Sequence, residues 1–282
     1  MTSKIIALID GSTYSQSVCD NAAWIARRTD AAVELVHVLG RRETASADLS
    51  GTISLGARSA LLAELSALDE TRARLAQKRG RAILEDAQAT LAEAGVTATM
   101  RLRNGDLLEA VAEAEKQAGL IVIGKRGEGA DFARLHLGSN LERIARSATR
   151  PVYVAARAWR PVAKVLIAHD GGPSIGRAID HIAASPLLAG LDIHLLRVGA
   201  DTAENRRGIE AARAALEAAG HTAAAELAPG QPDKVIAERV ERDGIDLLVM
   251  GAYGHSRIRS MIIGSTTSEM IRACKIPVFL FR

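Results

Sequence analysis

Short, nearly unbroken apolar runs alternate along the chain with longer stretches of helical period. Ile5-Ile6-Ala7-Leu8-Ile9 is such a run, and it ends in an acid and a turn, Asp10-Gly11-Ser12. Residues 15–28 follow with Val18, Ala22 and Ile25 on one helical face, and Val33 to Val38 forms the next run. Runs without polar interruption suit parallel strands buried on both faces. The same series starts again 160 residues later. Val165 to Ala168 leads into His169-Asp170-Gly171-Gly172, a helical stretch covers 174–184, and Ile193 to Val198 is the following run.

Between Val38 and Gly95 the first half carries about 35 residues that the second lacks. Residues 40–54 are small, polar and turn-rich, an expected exposed loop. Residues 57–94 are strong helix formers, read as one long helix or two. The shorter counterpart is 203–219, stopped by Gly220. The repeat then resumes at an offset of 125 to 127. Asn104-Gly105-Asp106 answers Pro229-Gly230-Gln231-Pro232, and Leu120-Ile121-Val122-Ile123-Gly124 answers Leu247-Leu248-Val249-Met250-Gly251. Leu137-Gly138-Ser139 answers Ile263-Gly264-Ser265, and 150–154 answers 276–280 as a last strand.

This pattern predicts β-α-β-α-β-α-β-α-β twice: an α/β protein of two tandem doubly wound domains, each with a five-stranded parallel sheet covered by helices. The expected domains are 1–157, with a helical insertion at about 40–80, and 161–282, with the break at the Trp-Arg-Pro segment of 155–161. In such sheets the ligand crevice opens beyond the carboxyl ends of the strands, where strand order reverses. Asp10 and Asp170 end first strands; Gly124 and Gly251 end fourth strands. They meet in that crevice if strands one and four are neighbours.

The second fourth strand runs into Met250-Gly251-Ala252-Tyr253-Gly254 and, after nine further residues, Gly264-Ser265-Thr266-Thr267. A helix is expected directly afterwards, with Thr266 and Glu269 at capping-box spacing. A glycine loop entering a helix N-terminus presents unpaired amides and positive dipole charge, which suits a phosphate. Glycines after strands also serve as plain turns.

Composition narrows the picture. The chain of 282 residues is 48% hydrophobic and 24% charged, but only 3% aromatic, so its core must rest on Ala, Leu, Val and Ile. The net charge of +3 is scattered, with no basic block among aromatics, so no nucleic-acid face is expected. Cys19 and Cys274 are far apart and give neither a metal site nor a disulfide framework. The chain enters a strand without a signal-peptide pattern, and no apolar run reaches membrane-span length, so a cytoplasmic protein is the expectation.

On these residues the chain resembles the universal stress protein family in its tandem form, over nearly its whole length apart from the insertion. The family's Gly-x2-Gly-x9-Gly-Ser/Thr mark stands here as Gly251, Gly254, Gly264 and Ser265. The resemblance implies binding of ATP, or of ADP or AMP, with magnesium as an optional companion. It places Asp170 and Val198 at base and ribose, and Met250 on the base pocket. Gly251, Gly254, Gly264, Ser265, Thr266 and Thr267 would hold ribose and phosphates. It further implies that the last strands of the halves pair with each other, so that one chain imitates the family's homodimer; association of whole chains is left open.

The first half keeps Asp10, Val38, Gly124 and Gly127, but ten residues instead of nine precede Gly138-Ser139. Glu128 and Asp131 add acid to that loop, beside Lys125, Arg126 and Arg134. Both a second nucleotide site and a half retained only for pairing fit this reading. No Walker sequence, nucleophile elbow or metal-spaced cluster occurs, so no catalytic residue is assigned and a regulator rather than an enzyme is expected. A ligand-independent scaffold and a slow ATPase are the alternatives.

Overall fold

The computed structural model describes residues 4–40, 55–126, 139–252 and 264–282; the side chains of 55–62 and of 139 fall outside that description. The first half runs β1 (Lys4–Leu8), α1 (Ser15–Thr29), β2 (Val33–Leu39), α2 (Leu55–Glu93), β3 (Ala98–Asn104), α3 (Leu107–Ala114), β4 (Ala118–Gly124), α4 (Ser139–Ser147) and β5 (Val152–Ala155). The second runs β6 (Lys164–Ala168), α5 (Pro173–Ala183), β7 (Asp192–Val198), α6 (Ala203–Ala218), β8 (Ala223–Ala228), α7 (Pro232–Arg242), β9 (Leu247–Gly251), α8 (Ser265–Ala273) and β10 (Val278–Phe281). Residues 55–93 form one helix, which settles the alternative left open by composition.

All ten strands lie in one sheet, in the order β3-β2-β1-β4-β5-β10-β9-β6-β7-β8. Within each half the neighbours are parallel, and strand order reverses between β1 and β4 and between β6 and β9. β10 runs antiparallel to β5, with Phe279 opposite Tyr153. Alternate residues of each strand enter two cores. Ile5, Ala7, Val165 and Ile167 pack under α1, α2, α5 and α6. Ile6, Leu8, Leu166 and Ala168 pack under α3, α4, α7 and α8.

The scarce aromatics collect where the halves join. Tyr153 and Phe279 are fully buried with ring centroids 5.6 Å apart, Phe279 and Phe281 are 4.5 Å apart, and Trp24 touches both Tyr153 and Trp159. Such tilted pairs add attraction beyond the area they bury. Each half also caps a helix of the other. Lys125, just past β4, donates Nζ to Arg272 O (3.1 Å) and Cys274 O (2.7 Å) at the end of α8. Arg282, just past β10, donates Nη1 to Arg146 O (3.0 Å) at the end of α4. A cation at a helix C-terminus satisfies free carbonyls and opposes the dipole.

Candidate functional site

The crevice of the second half is built by neighbouring strands that end together. β6 and β9 are in register from Val165↔Leu247 to Ala168↔Met250. Beyond β6, Asp170 Oδ1 accepts a hydrogen bond from Gly172 N at 2.8 Å, which closes a turn through Gly171 at φ 79°. That positive φ favours glycine, and a Cβ there would also collide with the Arg197 guanidinium. Pro173 then opens α5, where its missing N–H is no loss.

Beyond β9, Gly264 N donates to Ala252 O at 3.2 Å, and Ser265 opens α8. Thr267 Oγ1 donates to Gly251 O at 2.9 Å and ties the first turn of the helix back to the strand end. The capping box expected at Thr266 and Glu269 does not form. The helix begins earlier, with Gly264 at the N-cap and no side-chain cap bond, so Glu269 lies past the first turn and pairs with Arg272 instead, at 3.3 Å. With neither a capping side chain nor an acid in its first turn, α8 presents backbone donors and dipole charge uncompensated by the described residues.

These elements enclose one cavity of about 320 Å³. Asp170, Val198, Met250 and Gly251 line it, and so do Gly264, Ser265, Thr266 and Thr267. Gly254 lies outside the described residues. Sequence reasoning missed five further wall residues: Ala168, His169, Leu196, Pro232 and Ile236. Met250, Leu196 and Ile236 make an apolar wall, while Asp170 stands at the strand end and Ser265 and Thr266 at the helix start. His169 is 8% exposed, and its Nδ1 has no hydrogen-bond partner among the described residues. Burial first, then the Arg197 guanidinium, hold His169 below the ordinary histidine range, so it is held toward the neutral form. A signal for His169 existed in the repeat: its counterpart is Ile9, an apolar residue at the same strand end.

An apolar slot with a carboxylate at one end and helix-start donors at another can hold a flat ring, hydroxyls and an anion in one extended ligand. Among the described residues no group of three or more His, Cys, Asp or Glu could hold a metal ion.

The first-half crevice is larger, about 670 Å³, and differs in chemistry. Asp10, Val38 and Gly124 line it, and Ser139 opens α4; Gly127 and Gly138 lie outside the described residues. Asp10 Oδ1 accepts from Ser12 N at 3.0 Å, the same turn as at Asp170. Tyr14 takes up room that the second half leaves to Ser174: a Cβ on Gly124 would lie 2.7 Å from the Tyr14 Cβ. Asp106, Glu109, Arg126 and Arg143 bring charge into this crevice, with Arg143 bound to Asp106 at 2.7 Å. That bond, before the Leu108 and Glu109 amides, holds the Asp106 carboxyl below the usual range.

A tandem, doubly wound α/β chain with a crevice at each strand-order reversal is the class that fold and site define. The universal stress protein family model matches twice, over residues 1–156 and 161–282, and the chain belongs to that family. It is 36% identical over 285 residues to universal stress protein Slr1230 of Synechocystis, covering 99% of both chains. It is 27% identical to a universal stress protein of Mycolicibacterium smegmatis, covering 67% of this chain and 70% of that one. Its fold matches the crystal structure of a universal stress protein from Archaeoglobus fulgidus with a TM-score of 0.73 at 19% identity, covering 99% and 98% of the two chains. Among the described residues no helix is long and apolar enough to cross a membrane.

Proposed function

We propose that the second-half crevice binds ATP or a related adenine nucleotide, and that the chain acts in a stress response as a nucleotide-dependent regulator rather than as a dedicated enzyme. The observation that carries this reading is the convergence of Asp170, the apolar wall of Met250, Leu196 and Ile236, and the uncapped start of α8 on one cavity. The base lies against the apolar wall, the Asp170 carboxylate accepts from ribose hydroxyls, and the phosphates lie toward Gly264, Ser265 and Thr266. Magnesium, where present, is held by the nucleotide phosphates and water. The β5–β10 joint and the two cross-half caps support reading the halves as an internal pseudo-dimer. Equilibrium dialysis of ATP against the stripped chain tests the reading: saturable binding that is lost in Met250→Asp and Gly264→Val supports it, and absence of binding refutes it.

The continuous sheet and its aromatic joint also suit a second reading, a scaffold complete without ligand. It predicts a thermal midpoint that saturating ATP does not move, whereas a ligand that binds only the folded chain raises it.

A further inference from the structure

Helix α2 extends well past the body of its half. Its C-terminal part is seated on the sheet: Leu84, Ala87 and Leu91 are buried, and a Cβ on Gly80 would lie 2.8 Å from Leu102 Cδ1 and 2.9 Å from His37 Cδ2. Gly80 is where the helix leaves the sheet. From 63 to 79 no residue is buried, which at about 1.5 Å per residue is roughly 25 Å of helix. Leu68 and Leu75, 55% and 59% exposed, are one heptad apart on one face, with Leu65 beside them. Met100 is the other large hydrophobic exposed among the described residues.

The charge on this segment is polarised along its length. Residues 63–70 contain Glu64, Asp69 and Glu70 and no base, whereas 71–81 contain Arg72, Arg74, Lys78, Arg79 and Arg81 and no acid. Glu70 pairs with Arg74 at 2.7 Å within the helix, and such an exposed pair contributes little. A helix acidic in one half and basic in the other repels a parallel copy of itself and attracts an antiparallel one.

We propose that residues 63–79 are a docking surface for a second copy of this chain, laid antiparallel about a two-fold axis near Thr71 and Arg72. In that arrangement the acidic half of each helix lies on the basic half of the other, and Leu68 of one copy lies beside Leu75 of the other. The interface is isologous and closes on itself, so it yields a dimer and not a filament. The opposed charges fix the direction, and the leucines supply the buried apolar seam.

Sedimentation equilibrium of the full chain across the micromolar range, at low and high salt, tests the proposal. The wild type is expected to have twice the chain mass of 29.8 kDa and to dissociate as salt is added. Leu68→Glu with Leu75→Glu is expected to give a monomer whose circular dichroism spectrum and cooperative unfolding stay native, because both side chains are exposed. The decisive arm is a charge exchange. Glu64→Lys, Asp69→Lys and Glu70→Lys in one chain, and Arg72→Glu, Arg74→Glu and Lys78→Glu in another, are each expected to be monomeric alone and to form a heterodimer when mixed. A monomeric wild type, a dimer that survives the leucine changes, or a failure of the exchanged chains to pair overturns the proposal. Binding of a monomeric wild type to vesicles of anionic lipid would assign this face to a membrane surface instead.

Discussion

Thr267 offers the sharpest local perturbation of the second-half crevice. Its side chain is buried, 3% exposed, and its Oγ1 donates to Gly251 O at 2.9 Å, across the glycine loop that joins β9 to α8. Thr267→Val preserves the side chain's shape and removes the donor. Gly251 is half-buried at the cavity, so water can reach the carbonyl left behind, and the lost bond costs about 0.5–1.5 kcal/mol. In a chain of this size each kcal/mol is worth about 2–4 °C in thermal midpoint, so the variant should melt about 1–6 °C below wild type. The loss should extend to function, because the bond fixes the start of α8 relative to the end of β9. A several-fold weaker ATP affinity is therefore expected from isothermal titration, alongside the lower midpoint from calorimetry. Thr266→Val is the control for the melting arm: Thr266 lines the same cavity with no described side-chain hydrogen bond to the strand, so its midpoint should stay at wild type even where its ATP affinity falls. A Thr267→Val protein with wild-type melting and wild-type affinity would refute the argument that this hydroxyl joins strand end to helix.

At the joint, the fully buried Tyr153 hydroxyl has no hydrogen-bond partner among the described residues. Tyr153→Phe should therefore raise the thermal midpoint, by up to about 1 kcal/mol of stability; a lower midpoint would show that the hydroxyl is satisfied in solution. Gly124→Val should lower both the midpoint and any ligand binding in the first half, because even its Cβ meets Tyr14 at 2.7 Å; circular dichroism melting checks the first effect. Burial holds both His169 and His181 below the ordinary histidine range. Below about pH 6.5 the unfolded chain thus binds more protons than the folded one, and stability should fall with acidification. Melts at about pH 7.5 and 5.5 should show a smaller drop in His169→Gln/His181→Gln than in wild type; equal drops would contradict the burial argument.

The strands were legible because strands buried on both faces carry almost no polar residues. The interiors of β1, β4, β6 and β9 are uninterrupted, and their ends are marked by Asp10, Gly124, Asp170 and Gly251. The repeat then placed first and fourth strands in corresponding positions, and the sheet brings them side by side. The residues of the second-half cavity were legible for the same reason: they sit at strand ends or at the following helix start. Ile236 and Pro232 were not, because they reach the cavity from α7, whose place over the sheet depends on the fold as a whole. The start of α8 was misread because Thr-x-x-Glu spacing is a local cue. Thr267 takes its partner from β9, which draws the helix start back to Ser265. Composition likewise could not show whether 57–94 held a break, since Ala, Leu, Arg and Glu favour helix on either side of any kink. Tyr14 in the first-half crevice was legible only by setting it against its counterpart, Ser174.

The central claim is one adenine nucleotide held in the second-half crevice, and counting nucleotides tests it most directly. The purified chain would be denatured, any released nucleotide identified, and ATP titrated into stripped wild type and Gly264→Val. The account predicts a saturable site in the wild type that disappears in the variant. Two nucleotides per chain falling to one would add the first-half crevice as a second working site. No released nucleotide and no titration signal, or a stoichiometry untouched by Gly264→Val, would contradict the account.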